Sequence, residues 1–235
     1  MALPMYKHPT YTLNLPSTGK EVKYRPFLVK DEKNLLLAQQ SEVEMTMMDT
    51  LKDVITGCVL SKDVKVEDLP IFDLEYIFTQ LRIKSVGENV SLVFSCKTGC
   101  GENTKIDFTI DPKLIKGEGH TPKIELFDGV GIMMKYANVE LLREISKLDL
   151  DDPIQILKLI VHSVDYIYDK DSVYHAKDQT EDELIKFVEN LPREASLKIK
   201  QFFDTTPKLQ QTVEYDCPNC GTHNVYTVEG IESFF

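Results

Sequence analysis

Several hallmarks of nucleic-acid binders and membrane proteins are scarce or missing in this sequence. Lys and Arg number 27 against 38 Asp and Glu, which gives a net charge of −11, and there is no tryptophan. Because basic side chains provide the affinity for a phosphate backbone, this charge argues against nucleic-acid binding and against anionic membrane surfaces. No apolar run approaches the roughly 18–20 residues needed to span a bilayer. We therefore expect neither a nucleic-acid partner nor a membrane span.

The N-terminal segment has little of what a secretory signal requires. Residues 1–16 lack its charged and apolar regions, so we expect the protein in the cytoplasm where it is made. Thiols stay reduced there, and clustered cysteines are then more often metal ligands than disulfides. The chain has 235 residues, of which 42% are hydrophobic and 28% charged. This composition allows a packed core in one large domain or two small ones.

Catalytic motifs are also missing. Gly129-Val-Gly131 is too short for a phosphate-binding loop, and the sequence has no HExxH motif. Cys58 falls on the apolar face of a predicted helix and is interpreted as a buried core residue. A nucleophilic pairing of Cys58 with His162 is the disfavoured alternative. We therefore expect that the protein is not an enzyme.

Two stretches each carry a pair of cysteines between segments with strand character. Cys217 and Cys220 stand two residues apart and Gly221 follows, whereas Cys96 and Cys100 are one residue more widely spaced and are followed by Gly101. A tight turn at a hairpin tip directs both sulfurs to one side, which supplies half of a tetrahedral zinc site. Together the four thiolates would complete one structural Zn²⁺ site with no open position for water. Such a site would stabilise the fold and would not be catalytic.

The spacing alone does not show that the two hairpin tips meet. Cys100 and Cys217 are 117 residues apart in the sequence. Three alternatives stay open: hairpins that hold no metal, separate disulfides, and pairing between molecules. His223, just after the second cysteine pair, is an alternative ligand, although a solvated histidine is the simpler interpretation.

The order of predicted elements occurs twice along the chain. A β-hairpin, helices and a cysteine hairpin are predicted in residues 1–111, and the same order is predicted in residues 123–235. Residues 112–122 contain two prolines and two glycines and are interpreted as a linker. The sequence thus predicts an α+β fold of two similar halves, each ending in a zinc-ribbon-like hairpin. The repeated order suggests an ancient duplication. In duplicated halves related by a pseudo-twofold axis, corresponding hairpins can approach each other.

The second half contains local predictions that the structure can examine. Asp128-Gly129 is typical of a hairpin turn, Asn138 can cap a helix, and Thr180 through Glu183 resembles a capping box.

A longer helix and a loop are also predicted in this half. Asp152-Pro153 is typical of a helix start, and the apolar positions after it, through Val164 and Ile167, predict one long helix. The polar residues 169–178 are interpreted as a loop. At the end of the chain, Phe234 and Phe235 are either packed or presented to a partner.

Several further stretches, which together cover nearly the whole chain, form a combination that is fairly specific. They are Tyr6–Tyr11, Leu15–Lys20, Tyr24–Lys30, Phe72–Tyr76, Leu81–Glu88, Phe202–Phe203, Pro207–Leu209, Val213–Cys220 and the cysteine hairpins. This combination resembles a known family, the T4-type bacteriophage baseplate hub assembly proteins. The resemblance implies a role in building the central hub of a contractile tail, either as a lasting component or as a chaperone that leaves. It implies other baseplate hub proteins as partners. It also implies the host cytoplasm during assembly as the location, or the baseplate of the virion tail.

Two other functions compete with the one that the resemblance implies. Zinc ribbons often occur in nucleic-acid-binding or regulatory proteins, but few basic residues lie near the cysteines and the net charge is −11. A thiol enzyme that uses Cys217 and Cys220 is the third hypothesis. The direct partner and the oligomeric state are not predicted.

Overall fold

The structure, a computed structural model, describes residues 7–40, 44–149 and 152–230. The strands are β1 (Tyr11–Asn14), β2 (Glu21–Tyr24), β3 (Asn89–Ser95), β4 (Asn103–Thr109), β5 (Lys113–Ile115), β6 (Lys123–Phe127), β7 (Val130–Met134), β8 (Val164–Tyr168), β9 (Val173–His175), β10 (Lys208–Asp216) and β11 (His223–Glu229). The helices are α1 (Val29–Gln39), α2 (Glu44–Cys58), α3 (Ile71–Ser85), α4 (Val139–Ile145), α5 (Pro153–His162), α6 (Glu181–Glu189) and α7 (Arg193–Thr205). Phe234 and Phe235 lie outside the described residues.

The expected mixture of helices and antiparallel sheets is confirmed. The described part of the chain forms seven helices and four small sheets, with neighbouring strands antiparallel throughout. Among these helices, none combines the length and the apolar character that crossing a bilayer requires.

The chain groups into two compact units whose limits differ from the predicted division. The first unit contains Met1–Ile115 together with Lys208–Phe235, and the second contains Lys116–Pro207. One limit falls inside the predicted linker, whereas the other, between Pro207 and Lys208, was not predicted. As a result, the second cysteine hairpin groups with the first unit. The predicted origin of the chain by duplication stays a prediction.

The first unit begins with the predicted hairpin. Strands β1 and β2 pair antiparallel from Tyr11↔Tyr24 to Asn14↔Glu21, and Leu13, Val22 and Tyr24 are buried. The turn between the strands is fixed to α3, because the backbone N–H of Ser17 donates to the buried carboxylate of Asp73 over 3.0 Å and the Ser17 hydroxyl donates to the same group. The β-hairpin predicted at the start of the first half is thus confirmed.

Helices α2 and α3 contribute a large part of the core of the first unit. Leu51 and Ile55 of α2 and Leu74, Ile77 and Leu81 of α3 have no exposed surface. Cys58, at the end of α2, is also fully buried, as expected. Burial raises the pKa of its thiol to about 12, which favours the protonated form.

Two small sheets complete the first unit. Strands β3 and β4 pair with each other, and a second sheet has the order β11-β10-β5. Their shared core contains Val90, Ile110, Val213 and Val228. Strand β5 lies in the predicted linker and was missed, because three residues carry little periodicity and their partners, Lys208–Gln210, lie far along the sequence.

The second unit is built around a four-stranded sheet in the order β6-β7-β8-β9. Asp128 and Gly129 connect β6 to β7 with positive φ angles of 43° and 79°, which is the two-residue hairpin turn predicted from the Asp-Gly pair. One face of this sheet and helices α5, α6 and α7 share the core, which includes Ile132, Ile167, Leu184, Val188, Ile199 and Phe202.

The predicted long helix after Asp152 is wrong in its second part. Helix α5 ends at His162, and Val164–Tyr168 form strand β8, which pairs with β7. Val164 and Ile167 fit a helical period, but Val-Asp-Tyr-Ile-Tyr is rich in residues favoured in strands, and tertiary pairing decides the outcome. The predicted loop at 169–178 likewise contains the short strand β9, which pairs with β8.

Helix starts in this unit are confirmed in atomic detail. The Asn138 side chain accepts from the Leu141 N–H over 2.9 Å, and the Asp152 side chain accepts from the Ile154 N–H over 2.9 Å. Thr180 and Glu183 form the predicted capping box. These caps are local interactions, which explains why the sequence alone revealed them.

Candidate metal centre

The two cysteine-bearing tips share a backbone arrangement. In the first, the Cys96 N–H donates to the Glu102 carbonyl over 2.9 Å, and in the second the Cys217 N–H donates to the Thr222 carbonyl over 2.9 Å. Each bond closes a loop directly after a strand, β3 or β10. The first cysteine of each pair is therefore fixed by the end of a strand, while the second lies within the loop.

The loops turn back through residues with positive φ. Gly221 has φ of 69° in the shorter loop, and Gly99 and Gly101 have φ of 71° and 82° in the longer one. A Cβ at any of these positions would contact no neighbouring atom within 4 Å. The requirement for glycine is therefore conformational, since other L-residues rarely adopt these angles.

The structure brings the four predicted site residues together. The sulfur atoms of Cys96, Cys100, Cys217 and Cys220 all lie within 4.8 Å of one another. Cys96 is 3.6 Å from Cys220, and Cys100 is 3.7 Å from Cys217. A disulfide bond joins sulfurs at about 2.05 Å, so these are four separate thiols. The residues that are far apart in sequence thus form one cluster in the first unit.

The cluster fits a tetrahedral metal ion. Four sulfurs at about 2.3 Å from a central zinc ion would be about 3.8 Å from one another, close to the Cys96–Cys220 and Cys100–Cys217 distances. Four thiolates are also a donor set that soft and borderline metals such as zinc prefer. The four cysteines could therefore hold a metal ion in a closed site.

Asn224 links the two tips from a completely buried position. Its Oδ1 accepts from the backbone N–H of Lys97 over 2.9 Å, and its Nδ2 donates to the Thr222 carbonyl over 2.8 Å. The same Nδ2 lies 3.8 Å from the Cys96 sulfur. The Asn224 side chain on β11 thus positions the loop of the other hairpin and supplies a hydrogen-bond donor to the Cys96 sulfur.

Two threonine hydroxyls surround the sulfurs between the tips. Thr222 Oγ1 is 3.3 Å from the Cys220 sulfur, and Thr98 Oγ1 lies 3.4 Å from the same sulfur and 3.0 Å from that of Cys96. Hydrogen bonding with the Thr222 hydroxyl and then with the Thr98 hydroxyl lowers the pKa of Cys220 to about 5, and hydrogen bonding with Thr98 lowers the pKa of Cys96. These hydroxyls therefore favour the thiolates of Cys96 and Cys220, the form that binds metal. At Cys217, backbone hydrogen bonds lower the pKa, but burial and the neighbouring sulfurs outweigh them and raise it to about 11.

An aromatic cluster joins the hairpins behind the sulfurs. The rings of Phe94 and Tyr226 have centroids 4.9 Å apart, and Tyr215 stacks on Tyr226 at 6.2 Å. The Tyr226 hydroxyl donates to the Ser95 carbonyl, and the Lys97 ammonium lies 4.7 Å from the Tyr226 ring centroid. Contacts other than a metal ion thus already hold the tips together.

His223 does not join the sulfur cluster. Its Nδ1 lies 2.8 Å from the Asp216 carboxylate, and its Nε2 lies 3.7 Å from that of Glu214. The side chain is more than half exposed, which agrees with the solvated interpretation. Sequence reasoning missed Asn224, Thr98 and Thr222, and the only available signal was that each lies within four residues of a cysteine.

Comparison with known proteins assigns the chain to a family. No curated protein and no solved structure matches it significantly. A sequence model of one family, described as T4 bacteriophage base plate protein, matches residues 8–235, which is essentially the whole chain. The resemblance noted in the sequence is confirmed at this level, and the chain belongs to the T4 bacteriophage base plate protein family.

Proposed function

We propose that this protein takes part in assembling the central hub of the phage baseplate, by binding other hub proteins and without catalysing a reaction. The observation that carries this proposal is the family match over residues 8–235. Baseplates are built from proteins that contact one another, so membership of this family favours a function in binding. The protein would act either as a hub component or as a chaperone that leaves before completion.

We further propose that Cys96, Cys100, Cys217 and Cys220 bind one structural Zn²⁺ ion. The sulfur distances between the hairpins support zinc, and so do the thiolate-stabilising hydroxyls of Thr98 and Thr222. When bound, the ion would cross-link two hairpins that are distant in the sequence. Four protein ligands would leave no position for a substrate or a reactive water, so this centre would contribute to folding and not to catalysis.

A genetic experiment tests the function. Phage from which this gene has been deleted should produce no complete baseplates, and expression of the intact protein from a plasmid should restore them. Proteomics of mature particles and of assembly intermediates then distinguishes the two roles. A hub component is present in both, whereas a chaperone is found only in the intermediates, in the host cytoplasm. Normal baseplates in the deletion mutant would overturn the proposal.

A further inference from the structure

The second unit contains an apolar pocket of about 250 Å³ that opens beside β9. Most of its lining comes from strands β7, β8 and β9 and from helix α6: Val130, Ile167, Tyr168, Tyr174, Leu184 and Phe187. Such a volume accommodates one large apolar side chain. The remaining lining residues are Asp169, Gln179 and Glu183.

The pocket arises because helix α6 does not cover the whole sheet. Ile167 of β8 pairs with Tyr174 of β9, and Ile167 is buried in the core with Leu184 and Val188 of α6. Tyr174, one strand farther toward the edge, is 44% exposed. The apolar face of the sheet therefore extends past α6 to β9, where it is exposed to solvent.

Hydrogen bonds hold one wall of this pocket in place. The Tyr174 hydroxyl donates to the Asp169 carboxylate over 3.0 Å. The same carboxylate accepts from the backbone N–H groups of Asp171 and Ser172, each over 2.8 Å. Because the loop and the tyrosine share one acceptor, the pocket is preformed and does not require a partner to order it.

The rim of the pocket is acidic. Its two charged lining residues are Asp169 and Glu183. The N–H groups of Asp171 and Ser172 lower the pKa of Asp169, and the N–H and hydroxyl of Thr180 lower the pKa of Glu183. Both carboxylates are therefore ionised at neutral pH, and they favour a partner with a positive charge near its apolar anchor.

Strand β9 offers a second way to bind the same partner. It is the last strand of its sheet among the described residues, and Val173 on it is 55% exposed. An edge strand can accept a further strand from another chain through backbone hydrogen bonds. In such a strand, residues two apart point to the same face. If one side chain of the bound strand enters the pocket, the side chains two positions before and after it therefore lie on the same face, near Asp169 and Glu183.

We propose that β9 and this pocket bind an extended segment of a partner protein, in which a large apolar side chain is flanked two residues away by Lys or Arg. The segment adds to β9 as a fifth strand. Its apolar side chain enters the pocket, and its basic side chain lies against Asp169 or Glu183. This inference rests on the proposed function in protein binding and specifies one class of partner.

A peptide with this pattern tests the proposal on the full chain. The probe is acetyl-Lys-Thr-Phe-Thr-Lys-amide, titrated to millimolar concentration into ¹⁵N-labelled protein and followed by NMR. We expect amide shifts at Val173–His175 and around the pocket. Replacing Phe by Ala in the peptide should weaken binding about tenfold, as should replacing both Lys by Glu. A peptide with N-methylated Thr and Phe residues, whose central residues cannot donate backbone hydrogen bonds to β9, should also bind more weakly.

Variants of the protein provide the matched control. Asp169→Asn combined with Glu183→Gln removes both charges but keeps the turn and the capping box, because the amides still accept hydrogen bonds. We expect about tenfold weaker binding of the Lys peptide to this variant. Glu189→Gln removes a charge from the same helix at a position that does not line the pocket, and it should leave binding unchanged.

Three results would overturn this inference. They are no shifts at millimolar peptide, equal binding of the Phe and Ala peptides, and shifts that lie away from β9 and the pocket. Concentration-dependent broadening at Val173–His175 without peptide would instead assign the surface to contact between two copies of this chain. None of these results affects the role in baseplate assembly, which the gene deletion tests separately.

Discussion

The two cysteine hairpins that form the sulfur cluster differ in the number of strands that pair with them. Strand β10 pairs with β11 over seven residues and also with β5, so the second hairpin belongs to a three-stranded sheet. Strands β3 and β4 pair only with each other among the described residues, and their cysteines are separated by three residues instead of two. The second hairpin is thus the better supported of the two.

Because of this difference, we expect a bound metal ion to affect the order of the two hairpin tips unequally. The loop from Cys217 to Thr222 contains one glycine with positive φ, Gly221, whereas the loop from Cys96 to Glu102 contains two, Gly99 and Gly101. The longer, glycine-rich loop loses more conformational entropy when it is ordered. A metal ion would therefore contribute more to ordering the first tip than the second.

The largest expected effect comes from removing the metal. Purified, untagged protein should contain about one equivalent of zinc, and a strong chelator should lower the free energy of unfolding by several kcal/mol, because the ion binds only the folded arrangement of sulfurs. Elemental analysis and calorimetry measure these two quantities. Less than about half an equivalent of zinc, or an unchanged melting temperature after chelation, would contradict a four-cysteine site.

A smaller loss of stability is expected when the buried Asn224 side chain, which connects the two hairpin tips, is removed. Asn224→Ala leaves the Lys97 N–H and the Thr222 carbonyl without their partner, so the free energy of unfolding should fall by about 1–3 kcal/mol. Asn103→Ala is the matched control on the other hairpin, since Asn103 is exposed and its side chain accepts a hydrogen bond from the Ser95 hydroxyl. It should change stability by no more than about 0.5 kcal/mol. Equal losses in denaturant titrations of the two variants would refute the role of Asn224.

The smallest expected effect is a difference in hydrogen exchange between the two cysteine hairpins. After chelation, amide hydrogen exchange in β3 and β4 should accelerate about tenfold more than exchange in β10, because β10 keeps its bonds to both β11 and β5. Hydrogen-exchange mass spectrometry of the metal-loaded and chelated protein measures this. Uniform acceleration of both hairpins would show that they open as a single unit and that the third strand gives no protection.

Features that depend on neighbouring residues could be predicted from the sequence. The hairpin turn at Asp128-Gly129, the caps at Asn138, Asp152 and Thr180, and the burial of Cys58 all follow from local chemistry. The spacing of the cysteines likewise predicted two tips, each with two sulfurs on one side. Each of these features rests on contacts within a few residues or on the periodicity of one element.

Features that depend on distant pairing could not be predicted. Strand β5 exists because Lys208–Gln210 lie beside it, and β8 is a strand because β7 provides its partner. Asn224 has no motif that marks it, and its function becomes visible only when Lys97 lies beside it. In each case the residues are compatible with more than one conformation, and the neighbour selects among them.

The sequence by itself determined the membership of a family, the α+β composition and the two thiol-bearing turns. Only the tertiary structure decided that the four sulfurs meet, that the second cysteine hairpin groups with the N-terminal unit, and that an acidic-rimmed pocket opens beside β9. The physical reason is the range of the interactions. Turns and caps form within a few residues, whereas a shared metal site or pocket requires segments separated by long stretches of chain to pack together.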